Sequence, residues 1–350
     1  MAKSIVGLEI TEEGVRAAEV TTGRTPTLIA YGAVPLPPGA AKDSEIFDRD
    51  AVVMAIRQLW SRAGIKAKNV VLGTGSRRIL VRDYTTTAMR PDLLAQALPY
   101  QVQDLLPVPA DQAVLDFFPV SQEGDQVTGL LVAAVAETVE ELVKTVGKAK
   151  VTVDVVDLAP FGLARAAARV AAPGECVATL HLGDHTSYVV VLRDGVPLFV
   201  RIIPVDIATE AVRAREATAH ADAADVPVME EAFETVPPGE PVMRRSRAAA
   251  RLQPRPTGMT SAAIDDLVWR LGSTLRFYAD RSGDHPVTRV LLSGAGAAVE
   301  GIPAALAASL PMQVEAVGIS RVLQSKVAIA SADDDLNLLA TAGLALGENS

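Results

Sequence analysis

The chain has 350 residues, 49% hydrophobic, 21% charged and 4% aromatic, with a formal net charge of −9. That length exceeds what one hydrophobic core usually supports and predicts two lobes. The acidic balance excludes general nucleic-acid binding and broad attraction to anionic lipid, since both need basic surface. The single cysteine, Cys176, excludes an intrachain disulfide and fits a reducing compartment. At a strand start it reads as a small buried apolar side chain, not a reactive thiol. MAKSIVGLEI has no signal-peptide pattern, and no apolar run reaches the ~18 residues of a membrane span. The apolar C-terminal LLATAGLALG is too short to cross a bilayer.

Residues 6–20, VGLEITEEGVRAAEV, read as strand, tight turn and strand, with Glu12 and Glu13 at the turn. The turn TTGRTP and the strand TLIAYGAVPL complete a three-stranded meander. DRDAVVMAIRQLWSRAGI (48–65) puts Val52, Ile56, Leu59 and Trp60 at helical spacing, with acids early and Gly64 late. The strand NVVLGTGS follows. Residues 79–157 run β-α-β-β-α-β: ILVRDYTT, PDLLAQALPYQVQDLL, AVLDFFPV, VTGLLVAAVA, TVEELVKTVGKA and VTVDVVDL. That order predicts a small sandwich of sheet and helices, its first helix bent at Pro99.

Residues 177–205 repeat the opening unit as the strand VATLHLG, the turn DHTS, the strand YVVVL, the hairpin turn RDG and the strand VPLFVRIIPV. Residues 210–258, rich in Pro, Glu and Arg, read mostly as a flexible insertion. Its basic end (Arg244, Arg245, Arg247, Arg251, Arg255) reads as a solvated loop pairing with its own acids, or as a patch for lipid headgroups or an acidic partner. TSAAIDDLVWRLGSTLRFYADRSG (260–283) is the clearest helix. Thr260 or Ser261 can cap it, Asp265 and Asp266 suit its first turns, and Ile264, Leu267, Val268, Leu271, Leu275 and Tyr278 form its buried stripe. VTRVLLSGAG is a strand running into small residues, and GIPAALAASL starts another helix. SADDDLNLLATAGLALG (331–347) is a helix with acids at its positive end and a stop at Gly347.

Aligning Glu9 with His181 sets the two meanders 172 residues apart, nearly half the chain. That spacing predicts an internal duplication, with two lobes that each present one polar hairpin to a cleft.

The order of these parts resembles the actin-like ATPase superfamily, and most closely the PilM family of type IV pilus assembly proteins, over most of the chain except 210–258. The resemblance rests on VGLEI…GVRAAEV, LPYQVQDLLPVPADQAVLDFFPV (98–120), LLVAAVAETVEELV, VDLAPFGLARA (156–166), LHLGDHTSYVVVLRDGVPLFVR (180–201) and LLSGAGAAVEGIPAAL (291–306). The insert at 79–150 also resembles the cell-division relative FtsA, whose C-terminal membrane helix has no counterpart here. The resemblance implies an α/β, actin-like fold of the duplicated ribonuclease H-like kind, two-lobed, with a small βαββαβ inserted subdomain. The implied parts are a first-lobe core at 1–78, the insert at 79–150, the first lobe continued at 151–175 and a second-lobe core at 176–205. A second-lobe insertion at 206–286, the second-lobe core continued at 287–330, and a C-terminal helix at 331–350 returning to the first lobe complete the set.

In that family the two hairpins and a glycine turn line an interlobe ATP site. The resemblance implies nucleotide contacts at Thr11, Glu12, Glu13, Gly14 and Arg16, then at Gly183, Asp184 and Thr186, and at Gly294, Ala295 and Gly296 of an adenosine loop. It places Mg²⁺ on Glu9 and Asp184. The residues depart from the family pattern on the phosphate side. Thr11, Glu12 and Glu13 stand where Gly and small residues are usual, Arg16 stands near a Lys position, and His181 replaces an Asp that helps place magnesium. Mg²⁺ wants oxygen ligands. ATP brings about three to four negative charges, so each carboxylate at about 4–6 Å adds repulsion on the order of a few kcal/mol. The expectation is a former phosphate cradle with weak or absent ATP and Mg²⁺ binding and no catalytic residue. His181 and His185, across a strand and turn with no cysteine nearby, do not read as a zinc site.

The function implied is a cytoplasmic adaptor, peripheral to the inner face of the cell membrane. It would bind the N-terminal tail of a PilN-like inner-membrane protein in a groove beside the insert and link it to pilus motor ATPases. Ser76, Arg77, Leu80 and Tyr100 are expected near that groove, although Leu80 and Tyr100, each taken singly, read first as core residues. The competing readings are an active actin-like ATPase or small-molecule kinase, and a filament-forming cytoskeletal protein. No general base is apparent, because LHLG lacks the expected acid and no Ser-His-Asp or HExxH pattern occurs.

Overall fold

The computed structural model describes residues 3–43, 45–224, 259–282 and 285–347. In the first part of the chain, β1 (Ser4–Ile10), β2 (Gly14–Thr21) and β3 (Thr27–Pro35) form an antiparallel meander. The two-residue strands β4 (Ala41–Lys42) and β5 (Glu45–Ile46) lead to α1 (Arg49–Ala63). Asp48 caps α1 by accepting from the Ala51 amide, and Gly64 ends it in the left-handed conformation. β6 (Asn69–Thr74) then runs parallel to β1. β7 (Leu80–Thr87), α2 (Pro91–Gln101), β8 (Ala113–Glu123), β9 (Gln126–Val135), α3 (Ala136–Lys148), β10 (Thr152–Leu158) and α4 (Ala159–Ala168) follow.

The second part opens with β11 (Cys176–Leu182), β12 (Thr186–Arg193) and β13 (Val196–Pro204), again an antiparallel meander. α5 (Glu210–Ala224), α6 (Ser261–Arg281), β14 (Arg289–Ser293), α7 (Ile302–Ser309) and β15 (Gln313–Ala316) come next, then α8 (Ile319–Val322), β16 (Gln324–Ser325) and α9 (Ala332–Leu344). The sheet orders repeat. The first sheet runs β10-β6-β1-β2-β3-β16 and the second β13-β12-β11-β14-β15, so β3-β2-β1-β6-β10 matches β13-β12-β11-β14-β15 strand for strand. Even the registers correspond, with Glu9 opposite Arg16 and His181 opposite Tyr188.

β11 is buried along its whole length, and β1 and β6 nearly so. Strands covered on both faces read as continuous apolar runs. α4 and α9 lie between the two sheets, where Leu163, Ala166, Leu339 and Leu344 share one core with Ile5, Val177 and Val190. α1 and α3 cover the outer face of the first sheet. α6 and α7 cover the outer face of the second, and the six stripe residues of α6 are all buried. Cys176 is buried as expected, its sulfur 3.8 Å from the Tyr278 hydroxyl. Thr260 caps α6 by accepting from the Ala263 amide at 3.2 Å. Thr260→Ala is expected to lower unfolding free energy by about 1 kcal/mol in a urea titration. No helix among the described residues is long and apolar enough to cross a membrane.

Several local expectations are corrected. The inserted unit is a three-stranded sheet, β7-β9-β8, with α2 packed on it, not a complete βαββαβ sandwich. α3 buries Leu142 and Val146 against the α1 side of the first sheet, and β10 pairs parallel with β6. α3 is the crossover that parallel pairing requires. α2 ends at Gln101, two residues past Pro99, instead of running to 106. Within 287–330, β16 crosses to pair with β3 of the first sheet. Residues 210–224, expected within a flexible insertion, form α5. The remainder of that insertion, including its basic end, lies outside the described residues. α9 stops at Leu344, ahead of the expected stop at Gly347.

Candidate functional site

The duplicated hairpins bring their turns together. Glu9, Thr11, Glu12 and Arg16 form one wall of an interlobe cleft, and His181, Gly183, Asp184, His185, Thr186 and Tyr188 the other. Asp43, Gly73, Gly75 and Ser76 of the first lobe and Asn337 of α9 complete it. The cleft's free volume is about 70 Å³, room for a handful of waters.

Glu13 is turned out of this wall and toward the opposite lobe. Its carboxylate accepts from His185 Nε2 at 2.8 Å and from Arg215 Nη1 at 2.8 Å. His185 Nδ1 holds Asp206 at 2.7 Å, and Arg215 also donates to the Glu12 carbonyl at 3.0 Å. Glu13 and His185 are 172 residues apart, the offset that relates the two hairpins, so equivalent positions of the two halves meet here. Arg215 comes from the first turns of α5, where Thr209 accepts from the Val212 amide and donates to Asp184 at 2.6 Å.

The charges in this bridge are set by their partners. Burial pushes the Glu13 carboxyl up, but hydrogen bonds from His185 and Arg215 outweigh it and hold the group below its ordinary range. The hydrogen bond to Glu13 outweighs burial of the His185 ring and, with Asp206, raises its pKa to about 9. His185 is therefore an imidazolium at neutral pH.

The cleft floor is built differently. Glu9 is buried, accepts from the Thr341 hydroxyl of α9, and is pushed up by burial despite the nearby Arg16. His181 is also buried, shares a 3.0 Å hydrogen bond with Ser293 and stacks on Tyr188 at 5.7 Å. Burial drops its pKa to about 3, so the ring is neutral at physiological pH. Burial likewise holds the Tyr188 phenol above its usual range.

The glycine turn lies behind this floor. Gly294 has φ +87°, and a Cβ there would stand 2.3 Å from the Leu182 carbonyl oxygen. A Cβ on Gly296 would stand 2.7 Å from Leu182 Cβ. The Gly294 amide donates to the Leu336 carbonyl of α9 at 2.9 Å, and Ala295 is buried beside it. Gly14 pairs with Pro35 at the start of β2. Among the described residues no three His, Cys, Asp or Glu side chains are grouped to hold a metal.

The four residues expected at a partner groove fall in three places. Ser76 is buried at a crevice beside Ile79, Val135, Val139 and Leu142. Arg77 pairs with Asp43 at 2.9 Å and, with Leu80, lines a separate groove against the second lobe. Tyr100 is 85% exposed on α2, since Leu98 takes the inward position, so it is not a core residue. Arg215 was not anticipated, because its segment reads as insertion. Glu13 and His185 carried a usable signal, their separation by the duplication offset.

Two matching sheets around a polar cleft, with α4 and α9 between them, define an actin-like protein of the α/β class. Residues 7–203, more than half of the chain, match the family described as type IV pilus assembly protein PilM, and the chain belongs to that family. Among solved structures it is similar to one described as the PilM-PilN type IV pilus biogenesis complex, at 22% identity over 99% of this chain and 98% of that one, with a TM-score of 0.76. It is also similar to ethanolamine utilization protein EutJ from Carboxydothermus hydrogenoformans, at 12% identity over 99% of this chain and 90% of that one, with a TM-score of 0.53.

Proposed function

We propose that this chain is a type IV pilus adaptor at the cytoplasmic face of the inner membrane. It holds the short tail of a PilN-like membrane protein, connects it to the pilus motor ATPases, and carries a retired nucleotide site between its lobes. The observation that carries this reading is the bridge of Glu13, His185 and Arg215 across the cleft, at the turns where a phosphate cradle would need open amides. A magnesium triphosphate does not fit the donor set. Glu9 is engaged by Thr341 and Asp184 by Thr209, and the neutral His181 is bonded to Ser293. Among the described residues lining the cleft, Arg16 is the one guanidinium, against Glu9, Glu12, Asp43 and Asp184. Calorimetry with Mg-ATP checks this: the unaltered chain is expected to bind weakly or not at all, and His181→Asp to gain. Tight binding with turnover would restore the ATPase reading, and nucleotide-dependent sedimentation the filament one.

The tail is assigned to the crevice at Ser76. Ile79, Val135, Val139 and Leu142 give it an apolar interior, with Thr74, Ser76, Arg78 and Thr138 as polar fixings. That lining matches an extended apolar segment in chemistry, and its free volume of about 20 Å³ requires the crevice to widen on binding. A relative described as a PilM-PilN complex supports the partner class. With a synthetic PilN-like tail peptide, Val139→Arg is expected to weaken binding about tenfold or more while leaving thermal unfolding unchanged. Unaltered affinity would remove the tail from this crevice.

A further inference from the structure

A second groove runs between the insert and the second lobe, apart from the Ser76 crevice. β7 is an outer strand of the three-stranded sheet, and β13 is an outer strand of the five-stranded sheet. They flank a groove of about 500 Å³. Its walls include the consecutive residues 79–83 and 199–202. Successive side chains of a strand point to opposite faces. A wall made of consecutive residues is therefore the strand edge itself, with its outward N–H and C=O groups, and such an edge is a template for another strand.

The chemistry of the groove is one-sided. Arg77, Arg82, Arg201 and Arg281 line it against the single carboxylate Asp83, in a chain of net charge −9. Arg77 is neutralised by Asp43, and Arg281 by Asp83 at 3.2 Å. Arg82 and Arg201 are exposed, and their guanidinium groups have no hydrogen-bond or ion-pair partner among the described residues. Phe199 and Phe277 add apolar surface, and Phe277 is 45% exposed beneath the Arg281 guanidinium. Charges alone are a common guard on a sheet edge. Phe199 packs on the α6 core beside Tyr278 and Phe277, and the 45% of Phe277 that stays exposed is apolar surface beyond what a charged guard needs.

We propose that this groove binds an extended acidic segment of a partner protein, laid as a strand along the free edge of β7; β7 and β13 come within 8 Å of each other, too close for a strand paired to both. Carboxylates of the segment meet Arg82 and Arg201, and its apolar residues rest on Phe199 and Phe277. The five lining residues 79–83 span roughly 17 Å, which sets a segment of about five or six residues.

Fluorescence anisotropy with the full chain tests this, using a labelled peptide of alternating Glu and Val and a control with Lys for each Glu. The acidic peptide is expected to bind, weakening with salt, and the basic one not to bind. The double variant Arg82→Glu, Arg201→Glu is expected to lose about tenfold or more, since each charge-assisted hydrogen bond is individually strong. N-methylation of alternate peptide amides is expected to cost as much, because strand addition uses those groups. Val139→Arg, which blocks the other crevice, is expected to leave this binding intact, so the two sites fail separately. Equal binding of the two peptides, or indifference to the double variant in a protein with unchanged thermal unfolding, would overturn the proposal. Indifference to N-methylation would overturn strand addition.

Discussion

Glu13→Gln is expected to lower stability by about 2–3 kcal/mol near pH 6 and to flatten its dependence on alkaline pH. The pKa of His185 is about 9 in the folded chain, against 6.5 for the free side chain, chiefly through its hydrogen bond to Glu13. At about 1.4 kcal/mol per pH unit that difference is worth at most about 3.5 kcal/mol, and solvent screening of the half-buried ring lowers it. The sign follows from the proton. Below pH 6.5 both folded and unfolded chains hold it, and the contribution is complete. Between 6.5 and about 9 only the folded chain holds it, so stability falls as pH rises, and above about 9 the contribution is gone. Glu13 adds the opposite edge, because its carboxyl is held below its ordinary value of 4.5 and its contribution disappears on acidification through that lowered range. Urea unfolding from pH 5 to pH 10, in the unaltered chain and the variant, reads this directly. Hydrogen exchange at residues 11–13 and 183–186 is expected to quicken in the variant as the turns part. A stability difference that stays constant from pH 6 to pH 10 would mean that the imidazolium does not hold the lobes.

Gly343→Ala is expected to destabilise the whole chain by about 1–3 kcal/mol, although Ala is the better helix former by about 1 kcal/mol. α4 and α9 cross between the two sheets with their glycines in contact. A Cβ on Gly343 would stand 2.0 Å from the Gly162 carbonyl oxygen, and one on Gly162 would stand 2.8 Å from the Leu344 amide. Those obstacles are backbone atoms of buried helices and cannot swing aside as a side-chain end can. α9 also carries Thr341, which holds Glu9, Leu336, which receives the glycine turn, and Asn337 of the cleft wall. Displacing it disturbs both lobes at once. Gly147→Ala on α3 is the matched control, since nothing stands within 4 Å of its Cβ position, and a gain of about 0.5–1 kcal/mol is expected. Equal stability of the two variants in guanidinium unfolding would contradict the tight crossing.

Much of the fold was legible because it is local. Asp48 and Gly64 bound α1 by capping chemistry, and the α6 stripe follows from apolar spacing alone. The duplication was legible because each meander carries its own alternation and turns, and the observed registers reproduce the offset. The cleft was legible in part. Glu12, Arg16 and Asp184 line it, whereas Glu13 points across it to the other lobe and the Gly294–Gly296 turn packs behind it. Ser76 and Tyr100 illustrate the limit for partner surfaces. Both lie near the insert in sequence, yet one is buried at a crevice and the other stands in solvent, because helix rotation and sheet pairing decide exposure.

The amino-acid sequence by itself determined most of the segments that become strands and helices and the two-fold repetition of the meander, because capping, periodicity and turn chemistry act within a few residues. Tertiary structure alone decided that β10 and β16 join the first sheet, that α3 covers α1, and that Arg215 closes on Glu13. These are choices among partners far apart in the chain. They are settled by which apolar faces and unpaired edges remain to be covered once the local elements exist, and no short stretch of sequence records that competition.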